Sequence, residues 1–120
     1  MRRFIQSCKF AVAGIRLALD TQLHMRIHII AALIATAAGF IFRITQIEWA
    51  VLVLVMGVVI CAEMLNTAIE SVVDLASPAI HPLAKAAKDT ASGAVLVAAI
   101  AAVVIGLIIF CPHIWDMVYH

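Results

Sequence analysis

The stretch Gly93-Ala94-Val95-Leu96-Val97-Ala98-Ala99-Ile100-Ala101-Ala102-Val103-Val104-Ile105-Gly106-Leu107-Ile108-Ile109-Phe110-Cys111 contains no charged residue. An uninterrupted apolar run of this length crosses a bilayer as one helix. Two further runs precede it. Ile47–Ala62 has Glu48 and Trp49 near its start, the mark of a membrane–water boundary. Ile27–Ile44 is broken by His28 and Arg43 and is long enough to span if its flanking residues snorkel. Ser77, Pro78 and Pro82 interrupt helical periodicity between the second and third runs.

Ahead of these, Arg2 to Leu19 carries Phe4, Cys8, Val12, Ile15 and Leu19 at spacings of three and four. Arg2, Arg3, Lys9 and Arg16 supply cationic heads. Such a helix can lie in the membrane interface with its apolar side down, or pack on the chain's own bundle. The expected fold is therefore an all-α membrane protein: one domain over 1–120, a surface helix over 1–26, and helices over 27–44, 47–74 and 89–111 containing the spans.

Composition agrees. Hydrophobic residues make up 66% of the 120 and charged residues 12%, about half the charge of a soluble domain at roughly 25%. The mean hydropathy is +1.15. A soluble chain this small needs many more polar residues for its surface. A net charge of +1 argues neither for nor against nucleic acid, and the lack of a basic, aromatic-interleaved stripe sets nucleic-acid binding aside. Cys8, Cys61 and Cys111 are scattered and lack metal-ligand spacing, so they read as apolar fillers. Charges recur through the first 26 residues and no apolar segment with a cleavage site follows them, so this N-terminus is expected to be retained. Arg2, Arg3, Lys9, Arg16 and Arg26 lie before the first span, and Lys85 and Lys88 lie before the third. The positive-inside rule then makes the N-terminus and the second connection cytoplasmic, and the C-terminal tail external.

The chemistry sits where the second run becomes polar: Glu63-Met64-Leu65-Asn66-Thr67-Ala68-Ile69-Glu70-Ser71-Val72-Val73-Asp74. At about 100° per residue, Glu63, Asn66, Glu70 and Asp74 share a stripe roughly 80° wide and about 16 Å long. Carboxylates stacked on one face repel each other, and the edge of a membrane adds a desolvation cost. A divalent cation with oxygen ligands offsets both. The bland reading is a solvated face on a helix that extends beyond the membrane, opposite Leu65, Ile69, Val72 and Val73.

A second element, His81 to Gly93, contains Lys88-Asp89 just before the third span. Lys88 could neutralise a polyphosphate as a point charge. Asp89 could bind metal or nucleotide, or simply stand near a helix start. Lys85 reads as a snorkelling cation. No phosphate-cradling glycine loop is present, so any nucleotide must be held by helix side chains. His24 and His28 stand four apart, a weak metal signal that reads more simply as packing, and His113 and His120 read as tail residues.

The run Ala62-Glu63-Met64-Leu65-Asn66-Thr67-Ala68-Ile69-Glu70-Ser71-Val72-Val73-Asp74, followed by Ala87-Lys88-Asp89, closely resembles the prokaryotic diacylglycerol kinase and undecaprenol kinase family. The likeness covers nearly the whole chain, including Gly14, His28 and Glu48-Trp49. His81 to Gly93 and Gly106 to Pro112 look more like the undecaprenol kinase branch. The resemblance implies a homotrimer in the bacterial inner membrane, with active sites shared between neighbours at the cytoplasmic interface. It implies ATP as phosphoryl donor, Mg2+ as cofactor and a lipid alcohol as substrate. By residue match, Glu63 would be the catalytic base, Asn66 a site-organising amide and Glu70 a metal ligand. Asp74, Lys88 and Asp89 would contact the nucleotide or its metal. One position departs: where the family has a metal-binding glutamate, this chain has Gln22, whose amide oxygen can coordinate but brings no charge; Asp20 stands nearby.

These readings converge on in-line phosphoryl transfer to a lipid hydroxyl, undecaprenol before diacylglycerol. Two other classes fit the acidic stripe: an oligomeric channel whose cation path it lines, and a non-catalytic or degenerate homologue suggested by Gln22.

Overall fold

In the computed structural model, which describes residues 1–120, the chain is entirely helical: α1 Arg2–Thr21, α2 Leu23–Phe42, α3 Gln46–Ala76 and α4 Pro82–Tyr119. Three of these, α2, α3 and α4, are long and apolar enough to cross a membrane. At 1.5 Å per residue, α3 is about 46 Å long and α4 about 57 Å, against about 30 Å of hydrocarbon. Both therefore carry their polar ends clear of the apolar layer.

Local signals set the helix starts. Thr45 caps α3, its side chain accepting from the Glu48 backbone N–H at 3.2 Å. Without that acceptor, one of the four free N–H groups at the helix start would stay unpaired. His81 caps α4 by accepting from the Leu83 N–H through Nδ1, and Pro82 takes the first helical position, where its missing N–H is no loss. The turn after α2 is tight because Arg43 adopts the left-handed conformation, φ 52°, letting the Arg43 and Ile44 N–H groups bond back to Phe40 and Gly39. So short a connection makes α2 and α3 antiparallel neighbours.

α3 and α4 form the most extensive helix pair, and α2 packs against both. The buried stripe of α3 runs Leu52, Val55, Val59, Glu63, Asn66, Thr67, at the three-and-four spacing of a helix face that meets other helices. At one end, Ile44, Leu52 and Ile109 form an apolar cluster with Phe42, Trp49 and Phe110 around it. Gly39 is required there: a Cβ on it would stand 2.6 Å from the Trp49 ring. At that same end His113 meets Glu48 at 2.9 Å, tying α4 to the first turn of α3.

The element boundaries differ from those read in the sequence. The surface helix ends at Thr21, and Gln22 is extended (φ −115°, ψ 114°), so His24, Met25 and Arg26 open α2 instead of closing α1. The last helix starts at Pro82, not 89, and continues through Pro112 to Tyr119. Proline removes one hydrogen bond of the helical ladder, and membrane helices tolerate that loss.

Candidate active site

Glu63 follows three apolar residues on the buried stripe of α3, so helical geometry carries its carboxylate inward; it is 1% exposed. Asn66 and Thr67, one turn on, are buried too. Leu65, Ile69 and Val72 point outward and are exposed. The orientation is the reverse of a solvated acidic face, and it excludes that reading for Glu63 and Asn66. Asp74, two turns further, is exposed.

The buried groups are incompletely paired. Glu63 Oε2 lies 3.6 Å from His28 Nε2 on α2. Glu63 Oε1 has no partner, and neither does Asn66 Oδ1. Asn66 Nδ2 donates to Glu70 Oε1 at 3.3 Å, which orients the Asn66 oxygen away from Glu70 and restrains the Glu70 carboxylate. The Thr67 hydroxyl is spent on the Glu63 carbonyl at 3.0 Å. Two buried acceptors without donors cost on the order of 1–3 kcal/mol each. A buried acceptor left free is a site for a cation or a donated hydroxyl.

The oxygen donor set suits a hard divalent ion. However, no three His, Cys, Asp or Glu side chains converge enough to hold a metal by themselves. The acidic stripe shares an angular face but is stretched along the axis, so Asp74 cannot reach Glu63. Magnesium fits such a site because it typically takes one or two carboxylates and completes its shell with phosphate oxygens and water.

Asp74 instead accepts a hydrogen bond from Lys88, and Asp89 accepts one from Lys85. Hydrogen bonding to Asp74 raises the Lys88 pKa above the ordinary lysine value, and bonding to Asp89 does the same for Lys85. These four side chains line a polar recess of ≈ 240 Å³ between the end of α3 and the start of α4, with His81 and Ser77. Lys85 thus joins the polar recess, where snorkelling alone was expected. A second, apolar groove of ≈ 580 Å³ runs between α2, α3 and α4. His28 is at its polar end, and Ala31, Ala35, Ala102, Gly106 and Phe110 form its walls.

Comparison with known proteins bears directly on this arrangement. The prokaryotic diacylglycerol kinase family model matches residues 9–110. The chain belongs to that family. It is therefore an enzyme, a lipid kinase, and a multi-pass bacterial membrane protein. The undecaprenol kinase of Bacillus subtilis (strain 168) is 42% identical over 114 residues, 95% of this chain and 93% of that one. A diacylglycerol kinase of Synechocystis is 43% identical over 112 residues, 92% of this chain and 64% of that one. The Escherichia coli (strain K12) diacylglycerol kinase is 32% identical over 111 residues, 92% of this chain and 91% of that one.

Within the family frame, the geometry joins Glu63, Asn66 and Glu70 in one site and Asp74, Lys88 and Asp89 in an adjacent one. Gln22 lies at the α1–α2 junction, half-buried, with no side-chain hydrogen bond to the acidic stripe. The residue that sequence reading undervalued is His28. Its spacing from His24 suggested packing, and only the fold reveals that it faces a carboxylate on the next helix.

Proposed function

We propose that this lipid kinase transfers the γ-phosphoryl group of ATP, with Mg2+, to the primary hydroxyl of undecaprenol. The site lies at the cytoplasmic face of the bacterial inner membrane, in a homotrimer whose neighbours share it. The observation that carries the reading is the pair of unpartnered buried acceptors, Glu63 Oε1 and Asn66 Oδ1, beside the restrained Glu70 carboxylate.

Glu63 is the general base. Its free oxygen accepts the proton of the lipid hydroxyl as that oxygen attacks the γ-phosphorus and the bond to the β-phosphate oxygen breaks. His28 Nε2 faces the other oxygen at 3.6 Å, near enough to orient the carboxylate once the two close to hydrogen-bond distance. Asn66 holds Glu70 with its amide nitrogen and leaves its buried oxygen free. Glu70 would hold the magnesium with the phosphate oxygens, and the Gln22 amide is the remaining oxygen on α2's side; when bound, the ion offsets charge developing on the phosphates. Lys88 leaves Asp74 for the polyphosphate, which frees Asp74 for the nucleotide or its metal; Asp89 contributes in the same way once Lys85 also turns to the phosphates. The apolar groove starting at His28 receives the lipid chain.

Likeness to the B. subtilis undecaprenol kinase along nearly the full length of both chains supports the polyprenol substrate. The Synechocystis and E. coli relatives support diacylglycerol as the second reading. Burial of Glu63 against His28 speaks against a cation path, which needs acids in contact with water. Transfer from labelled ATP in mixed micelles, with each lipid offered separately and with or without magnesium, tests the proposal. Metal-dependent labelling of undecaprenol above diacylglycerol is the expected result. The opposite preference would establish the second reading, and no labelled lipid from a folded oligomer would favour a degenerate homologue.

A further inference from the structure

The break between α1 and α2 has no glycine or proline to cause it: the sequence there is Leu19-Asp20-Thr21-Gln22-Leu23-His24-Met25-Arg26. A helix that stops without such a residue needs other partners for its last carbonyls. Here the Gln22 N–H bonds to the Ala18 oxygen at 2.9 Å. The next two carbonyls go to one side chain. Arg26 Nε donates to the Leu19 oxygen at 2.6 Å and Nη2 to the Asp20 oxygen at 2.7 Å. The guanidinium fork matches two adjacent acceptors, and its charge also opposes the negative end of the α1 dipole. Ala18 and Met25, on either side of the break, are 1% and 0% exposed. Elsewhere α1 has no buried residue, so its direction is set chiefly at the elbow, with slight contact to α3.

The elbow also has a fixed depth. His28 meets Glu63, and α2 and α3 run antiparallel. Six residues back along α2 is Gln22, and six residues forward along α3 is Ile69, next to Glu70. At 1.5 Å per residue both steps are about 9 Å, so Gln22 is level with Glu70.

We propose that Arg26 is a positioning residue: its guanidinium closes the end of α1 and holds the elbow that keeps Gln22 at the level of Glu70 and α1 across the mouth of the site. The inference rests on Glu63–Glu70 being the phosphoryl-transfer site. Its test has a readout independent of activity. Spin labels on native Cys8, exposed on α1, and on Leu33→Cys, exposed on α2, report the angle between the helices. Cys61→Ala and Cys111→Ala remove the other thiols. In the full-length oligomer, Arg26→Gln is expected to broaden the distance distribution, lower turnover at least tenfold, and raise the magnesium concentration for half-maximal rate. Arg26→Lys keeps the charge but replaces the two-nitrogen fork by a single ammonium nitrogen and should fall between; it carries the test if Arg26→Gln does not assemble. An unchanged distance distribution overturns the proposal. So does a broadened one with turnover and magnesium dependence unaltered. If the unsubstituted protein phosphorylates no lipid, the kinase reading falls, and the distances still decide whether Arg26 holds the elbow.

Discussion

Burying an ionised carboxylate costs several kcal/mol unless its oxygens are paired, and Glu63 has one oxygen with no partner. The spacing of Glu63, Asn66 and Glu70 is legible in the sequence; which side of the helix turns inward is not. A helical wheel fixes relative angles only, and in water the apolar face Leu65, Ile69, Val72 would be the buried one. In a bilayer that face meets lipid, and the polar stripe is the inner one. Glu70→Gln removes charge from the restrained carboxylate and should raise the magnesium requirement several-fold while the protein stays folded, as a metal titration of the rate would measure. Lys88 gives a second expectation. Its pKa is raised by the hydrogen bond to Asp74, so the ion pair is complete at neutral pH and is lost only as pH rises past the ordinary lysine range. Asp74→Asn should bring the Lys88 titration, followed by NMR of the labelled ammonium, back down.

The spans are the most legible elements, because uninterrupted hydrophobicity is a strong signal. Their ends are less so. Pro112 marks a stop in sequence, yet α4 continues through it, with His113 one residue on held by Glu48 across the bundle. The end of α1 is hidden for a different reason: its partner, Arg26, lies beyond the break. Where a local signal and the fold agree, as at Thr45, the consequence is direct. Thr45→Ala leaves the α3 N-terminus uncapped and should lower stability by about 1 kcal/mol. Gly39→Ala forces a methyl group into the Trp49 ring and should cost roughly 1–3 kcal/mol. Denaturation in micelles would measure both, with the Gly39 change the larger.

At the scale of the molecule, 13 of 120 residues are buried, far too few for a core that stands in water. Leu54, Phe40 and Ile108, each more than two-thirds exposed, need lipid or further copies of the chain around them. If neighbours share the acidic site, as proposed, groups from two chains act on one substrate. Mixed oligomers of Glu63→Gln and Lys88→Ala protomers should therefore recover a fraction of the activity that each lacks alone. No recovery from verified mixed oligomers would mean that each chain builds its own site. Sharing of this kind is invisible in periodicity, since a helical pattern does not distinguish lipid from a second protomer.

The most direct measurement compares the unsubstituted protein with Glu63→Gln, both as intact oligomers, for phosphate transferred from ATP to undecaprenol. Metal-dependent lipid phosphate is expected from the first and a rate reduced by roughly 10²–10⁴-fold in the second. A Glu63→Gln oligomer that turns over at near the unsubstituted rate would contradict Glu63 as the base, because the buried carboxylate would then have no part in taking the proton.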